Sequence, residues 1–202
     1  MDPVVVALTF GAIFLVELPD KTFIATLVLS TKFRPFLVWV GVGLAFLVQT
    51  LIAVGLGKAA AQLPVEWVRI GAALMFLAGA VLLFREARGA DEHEQETEEE
   101  YAARAGTTPK SGFAAVGASF LVLFAAEWGD LSQLLTLSLV AKYNDHVSVF
   151  IGAWGALLAV SGLACVLGRV LLTRMRLSTL HYVGAAVCLL LFVVTVVELV
   201  RG

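Results

Sequence analysis

The chain has 202 residues, 60% of them hydrophobic, a mean hydropathy of +0.93 and a net charge of −2. Soluble domains carry closer to half apolar residues, so this composition excludes a soluble globular protein, and the absence of a basic patch excludes nucleic acid as a partner. The two cysteines, Cys165 and Cys188, lie in apolar runs outside any Cys-x-x-Cys or Cys/His spacing and read as small buried hydrophobes.

A helix needs about 20 mostly apolar residues to cross the hydrocarbon core of a lipid bilayer. Six runs of this kind, unlike the short alternating segments of a transmembrane barrel, predict an all-α membrane protein with six transmembrane helices. Met1-Asp2-Pro3 leads into the first run without a basic stretch or a small-residue cleavage site, so that segment is expected to stay in the mature protein. The first predicted helix, 4–30, carries Glu17-Leu18-Pro19-Asp20-Lys21-Thr22 and ends at Thr31 to Pro35. The second, 36–57, and third, 66–85, are separated around Pro64. Next comes a linker, 86–111, in which Asp91, Glu92, Glu94, Glu96, Glu98, Glu99 and Glu100 predict a solvated, flexible segment; gathering or sensing metal is the sharper alternative. The fourth helix, 112–140, carries Glu127-Trp128-Gly129-Asp130-Leu131-Ser132-Gln133, and the fifth and sixth cover 147–172 and 179–200. Trp39 and Trp67, near helix ends, suit an interfacial aromatic belt, while Trp128 is placed to wall the acidic motif. Glu198 reads as an interfacial charge, and His93, His146 and His181 as solvated residues of loops and helix ends.

Residues 1–85 and 112–202 repeat each other around the linker. The motif from Glu17 to Thr22 answers to that from Glu127 to Ser132, Gly41 and Gly57-Lys58 answer to Gly152 and Gly168-Arg169, and Gly71-Ala72-Ala73 answers to Gly184-Ala185-Ala186. Three helices per half is an odd number, so the second half enters the membrane from the opposite side, giving two inverted three-helix repeats. Such repeats place a substrate site at the midplane, on broken or unwound helices. Pro19 and Gly129 stand between the acids of each motif; proline lacks an amide donor and glycine permits unusual backbone angles, so both are expected helix breaks that free carbonyl oxygens.

Nine Lys and Arg residues, among them Lys32, Arg34, Arg85 and Arg174, fall on one face and four, Lys58, Arg69, Lys142 and Arg201, on the other. The positive-inside rule then makes the linker cytoplasmic and leaves both termini outside, in a multi-pass protein placed in the plasma membrane.

Four carboxylates at mid-bilayer would cost roughly 10–14 kcal/mol on insertion scales, which demands compensation. Three-residue spacing puts Glu17 and Asp20 on one helical face, and likewise Glu127 and Asp130. Brought together by the repeat, the four form an oxygen cage suited to a hard divalent ion such as Ca²⁺ or Mn²⁺, with the hydroxyls of Thr22 and Ser132 and the amide of Gln133 in support. No His or Cys lies in the motifs, which disfavours zinc or copper. Structural hydrogen bonding between helices is the plain alternative for these acids. Crowded in a low dielectric, the carboxylates bind either protons or a dication, and that competition is the binding step of a proton-coupled antiporter. Lys21, four residues after Glu17, is positioned to neutralise part of an empty cage, with snorkelling to an interface as its alternative; Leu131 stands in its place in the second half, so the cage is expected to be asymmetric.

The doubled motif resembles the Glu-x-Gly-Asp-[Lys/Arg]-[Thr/Ser] pair of uncharacterised protein family 0016, the transmembrane protein 165 type of cation/proton exchangers, over essentially the whole chain. Pro19 replaces glycine, Phe23 stands where glutamine often follows, and Leu131 replaces the basic residue, while the four acids and two hydroxyls are intact. The resemblance implies Mn²⁺ and Ca²⁺ exchange against protons, chiefly manganese efflux in bacterial members, with the metal as cargo and no cofactor. A passive cation channel selected by acidic rings is the nearest alternative. An intramembrane aspartyl protease built on Asp20 and Asp130 is a weaker one, because Glu127-Trp128-Gly129-Asp130 lacks the first glycine of a Gly-x-Gly-Asp motif and proteolysis has no use for the accompanying glutamates.

Overall fold

Asp2 starts the first helix by accepting the backbone N–H of Val4 at 2.8 Å, with Pro3 supplying a pre-set φ at the first helical position. The computed structural model describes residues 1–18, 20–88, 90–105, 112–174 and 177–201. These form α1 (Pro3–Glu17), α2 (Lys21–Lys32), α3 (Pro35–Ala60), α4 (Val65–Glu86), α5 (Ala90–Ala105), α6 (Phe113–Ala126), α7 (Leu131–Tyr143), α8 (His146–Arg174) and α9 (Leu177–Arg201), with no strand among the described residues. Four of the helices are long and apolar enough to cross a bilayer, and the spans number six if each bent pair is one crossing.

The bent pairs are the main departure from six continuous rods. α1 and α2 meet at 71°, and α6 and α7 at 73°. Both breaks fall inside the acidic motifs. At the second, Gly129 has φ +78°, a left-handed conformation that costs a glycine little. At the first, Pro19 lies outside the described residues. Each break keeps one turn-like hydrogen bond, from Asp20 N–H to the Glu17 carbonyl at 3.1 Å and from Asp130 N–H to the Glu127 carbonyl at 3.4 Å.

α1 buries Val5, Thr9, Ala12, Ile13 and Val16, one stripe at helical spacing, against α8, while α6 packs along α3. The two contacts match residue for residue. A Cβ on Gly41 of α3 would meet the carbonyl of Val116 and lie 2.9 Å from Cβ of Ser119; one on Gly152 of α8 would lie 2.6 Å from the carbonyl of Val6 and 2.8 Å from Cβ of Thr9. Val6 and Thr9 precede Val116 and Ser119 by the same 110 positions that separate the acidic motifs. Phe10 stacks on Phe14 with centroids 5.7 Å apart, and Phe120 on Phe124, again 110 positions later, at 5.4 Å. α3 and α8 also pack on each other, and α4 lies along α9.

The acidic linker differs from its expectation of a flexible tract. Residues 90–105 form α5, which packs on α2, α6 and α9. Its Glu- and Ala-rich sequence favours helix, and Tyr101 reaches the core at 4% exposure while Glu99 and Glu100 stay exposed. Burial pushes the Tyr101 hydroxyl well above its ordinary range.

Antiparallel packing of α4 and α9 fixes the two ends of the bundle. At one end Glu86 faces His181 at 3.8 Å; at the other Arg69 donates to the Glu198 carbonyl at 3.4 Å. His181 is therefore buried, at 5% exposure, rather than solvated as its position at a helix end suggested; His146 is exposed, and the surroundings of His93 lie outside the described residues. Trp67 is 67% exposed near the start of α4, as an interfacial residue would be, whereas Trp39 donates its indole N–H to the Leu158 carbonyl at 3.0 Å. Between α7 and α8, Asp145 accepts from Ser148 N–H, Ser148 Oγ and Asp2 N–H. These bonds, those from Ser148 foremost, hold its carboxyl below the usual range and tie the start of α1 to the end of α7. Cys188 is fully buried and Cys165 half-buried, both as free thiols.

Candidate metal centre

Glu17 is the last residue of α1 and Asp20 caps the start of α2; Glu127 follows α6 and Asp130 caps α7. The expectation that each pair shares one helical face is thus corrected. Three-residue spacing puts side chains on one face only while the helix continues, and both motifs contain a break. The acids instead flank the gap, and the two gaps face one another. One carboxylate oxygen from each of Glu17, Asp20, Glu127 and Asp130 lies within 4.8 Å of the other three.

Glu17 is 0% and Glu127 4% exposed. Among the described residues neither side-chain oxygen of Glu17 has a hydrogen-bond partner, and the buried hydroxyls of Thr22 and Thr26 nearby on α2 also lack one. Buried polar groups in native proteins are nearly always satisfied, and an unpaired carboxylate is the costliest exception. Oxygens around Ca²⁺ sit at about 2.3–2.6 Å, so opposite ligands are roughly 4.6–5.2 Å apart. The four-acid cluster has that spread, and its all-oxygen donor set fits a hard dication.

The supporting residues divide by role. Thr22 stands beside both Glu17 and Glu127, one from each half. Ser132 Oγ donates to Asp130 Oδ2 at 2.6 Å, and the backbone N–H groups of Ser132 and Gln133 donate to the same carboxylate at 3.2 and 3.1 Å. Asp20 accepts Lys21 N–H at 2.7 Å. The aspartates are therefore N-caps whose remaining lone pairs face the cluster, and Asp130 is held by more donors than Asp20. Gln133 does not offer its amide to the cluster: Oε1 accepts Gly129 N–H at 3.3 Å and Nε2 donates to the Glu127 carbonyl at 2.7 Å, so its side chain staples the break. That bond also occupies a carbonyl expected to be free.

Two further expectations change. The Lys21 side chain is exposed and forms no ion pair among the described residues, acting on Asp20 and Glu127 only through space. Trp128 does not wall the site; it is 62% exposed, edge-on to Phe124 with centroids 5.1 Å apart. Gln49, a lone amide in the apolar run of α3, was missed as a site residue. It donates to the Phe124 carbonyl at 3.2 Å, satisfying one of the orphan carbonyls at the end of α6 just before Glu127. Its polarity within an apolar helix was the available signal.

Comparison with known families bears on this arrangement directly. The family described as divalent cation/proton antiporter GDT1 matches residues 5–91 and 115–201, two stretches set 110 positions apart. The chain belongs to this family. The GDT1 assignment agrees with the resemblance carried by the doubled motif. Among the relatives, GDT1-like protein 1, chloroplastic, of Oryza sativa subsp. indica is 30% identical over 97% of this chain and 62% of its own length. A GDT1-like protein of Synechocystis is 30% identical over 76% of this chain and 80% of its own. A Vibrio cholerae protein named "Putative manganese exporter" is 27% identical over 95% and 90%. The chain thus spans about 62% of the length of the rice relative. No solved structure matches it. The family is one of transporters, in keeping with a protein that is not an enzyme.

The plasma-membrane placement is corrected by these relatives, since the rice protein and PAM71 of Arabidopsis thaliana are named as chloroplastic. Hydropathy establishes that a chain spans a bilayer, and loop charges orient it across that bilayer; neither identifies the membrane.

Proposed function

We propose that the chain exchanges a divalent cation, Mn²⁺ or Ca²⁺, for protons by alternating access at Glu17, Asp20, Glu127 and Asp130, with Thr22 and Ser132 as supporting hydroxyls. The observation that carries this reading is the convergence of four carboxylates within 4.8 Å, two of them buried, with neither Glu17 oxygen hydrogen-bonded among the described residues. Four negative charges at that separation require neutralisation in a low dielectric, which either protons or one dication supplies. Loading metal displaces protons and protonation releases metal, so metal moves toward the proton-rich side. The family description and the manganese in the name of the Vibrio cholerae relative favour this exchange.

In this reading residues 1–85 and 112–202 are inverted three-helix repeats joined by the linker 86–111. The matching contacts of Gly41 and Gly152, the two aromatic stacks and the twin family match all support it. The halves rock about the cluster, exposing it to each face in turn. A protease is disfavoured further by Asp130, whose carboxylate already accepts three donors.

Uptake into proteoliposomes tests the exchange. With an imposed pH gradient, Mn²⁺ or Ca²⁺ accumulates on the acidic side and Mg²⁺ does so weakly, because Mg²⁺ holds oxygens at about 2.0–2.1 Å and keeps its waters. Flux indifferent to the gradient would identify a passive channel instead.

A further inference from the structure

Lys32 and Lys142 end the two half-helices whose first turns hold the site. Lys32 closes α2, capped at its start by Asp20, and Lys142 lies in the last turn of α7, capped by Asp130. They are 110 positions apart, the interval that separates the acidic motifs. Each Nζ reaches a different neighbour. Lys32 donates to the carbonyl of Ala102, one of the last four carbonyls of α5, where a cation is favoured by the helix dipole. Lys142, with a side chain 5% exposed, lies 3.3 Å from Glu198 Oε2 and 3.2 Å from Thr195 Oγ1 on α9. Thr195 is fully buried and donates onward to the Leu191 carbonyl, while Arg69 of α4 donates to the Glu198 carbonyl.

These two anchors sit at opposite ends of the bundle. Lys142 reaches the end marked by Arg69 and Glu198, whereas Lys32 reaches α5, which follows Glu86 at the other end of α4. A half-helix that begins at a cation ligand and is fastened at its far end has its freedom set by that fastening. Neither lysine touches the carboxylate cluster, so each can act only by positioning the aspartate at the other end of its helix.

We propose that Lys32 and Lys142 are paired positioning residues that latch α2 and α7 at the two faces, and that each half of the exchange cycle releases one latch while the other holds. This rests on the alternating-access reading above. Both latches are closed in the present structure, in keeping with the burial of Glu17 and Glu127. The two reach different elements: Lys142 a carboxylate on α9, Lys32 a backbone carbonyl on the linker helix. The α5 segment thereby becomes a part of the transport machinery that is specific to one face.

Hydrogen exchange on the full chain in lipid nanodiscs tests the latches without requiring transport. Glu198→Gln is suited to this because the Glu198 side chain is 43% exposed and the change is isosteric. It is expected to speed exchange of residues 137–143 by at least about fivefold, the upper value for a fully exposed ion pair, and to leave residues 27–33 unchanged. Lys32→Met should do the reverse. The exchanged pair Lys142→Glu with Glu198→Lys should restore slow exchange at 137–143 and Mn²⁺ turnover together, a linked recovery that a merely structural contact would not predict. In proteoliposomes the single variants should change Mn²⁺ turnover at unchanged KM. Exchange unaltered at the substituted face, equal loosening at both faces, or no rescue by the swapped pair overturns the proposal. Absence of Mn²⁺ transport by the unsubstituted chain would instead overturn the antiporter reading, with the exchange pattern still deciding the latches.

Discussion

Under the proposed exchange, Glu17→Gln and Glu127→Gln are each expected to lower cation transport by at least about 100-fold, since even residues that merely support metal ligands cost 10–100-fold when changed. Glutamine keeps the size of glutamate and one oxygen but removes the charge, so the loss reports on the anionic site rather than on packing. Stability moves the other way. Both side chains are buried beside three other acids, and removing one charge relieves their mutual repulsion. The metal-free variants should therefore melt no lower than the unsubstituted protein. What they should lose is stabilisation by metal, about 2.7 kcal/mol for a ligand at one hundred times its Kd. Thermal melts in detergent with and without Mn²⁺, run beside the uptake assay, give both readings. A scaffold using these acids as hydrogen-bonding groups would tolerate the amides, and a protease using Asp20 and Asp130 would stay active.

The second large effect lies away from the cluster. Gly152→Ala puts a methyl group 2.6 Å from the Val6 carbonyl and 2.8 Å from Thr9 Cβ, and Gly41→Ala crowds Val116 and Ser119 in the same way. The opposing atoms include backbone, so the helices must separate. Overpacking of this kind costs about 1–3 kcal/mol, which for a chain of this size lowers the melting temperature by roughly 2–12 °C. Because α1 and α6 lead directly into Glu17 and Glu127, prying either from its partner also displaces one of the four clustered acids, and under the proposed exchange transport should fall with stability. Gly11→Ala and Gly117→Ala are the controls. They lie on the same two helices with nothing within 4 Å of the added carbon, and alanine is the better helix former by about 1 kcal/mol. Their melting temperatures should be unchanged or higher.

The apolar, all-helical class and the two matching acidic motifs were legible in the sequence, because each is written in residue type and spacing. Charged residues inside apolar runs stand out wherever the helix ends fall. The local geometry was less accessible. A periodicity argument assumes a continuous helix, so it placed Glu17 with Asp20 on one face and could not turn the aspartates into N-caps of α2 and α7. The stapling role of Gln133 depends on the left-handed turn at Gly129, which exists only once the break has formed. For α5, charge density pointed to a solvated tract, while the deciding feature was a single aromatic residue, Tyr101, that finds a buried place among neighbouring helices. His181 was read from its position near a helix end and Lys142 as a charge on one face, although each is buried against a partner on another element, Glu86 or Glu198. In each case the missing information was a partner distant in the chain.

In the proposed exchange, side chains from both halves hold one cation. Equilibrium binding of Mn²⁺ to the full chain in lipid nanodiscs, with released protons followed in weak buffer, tests it most directly. A single Mn²⁺ should bind per chain with release of protons, and both the binding and the release should disappear in Glu17→Gln and in Glu127→Gln alike. Binding that survives either substitution, or two ions each sensitive to only one of them, would contradict a shared centre.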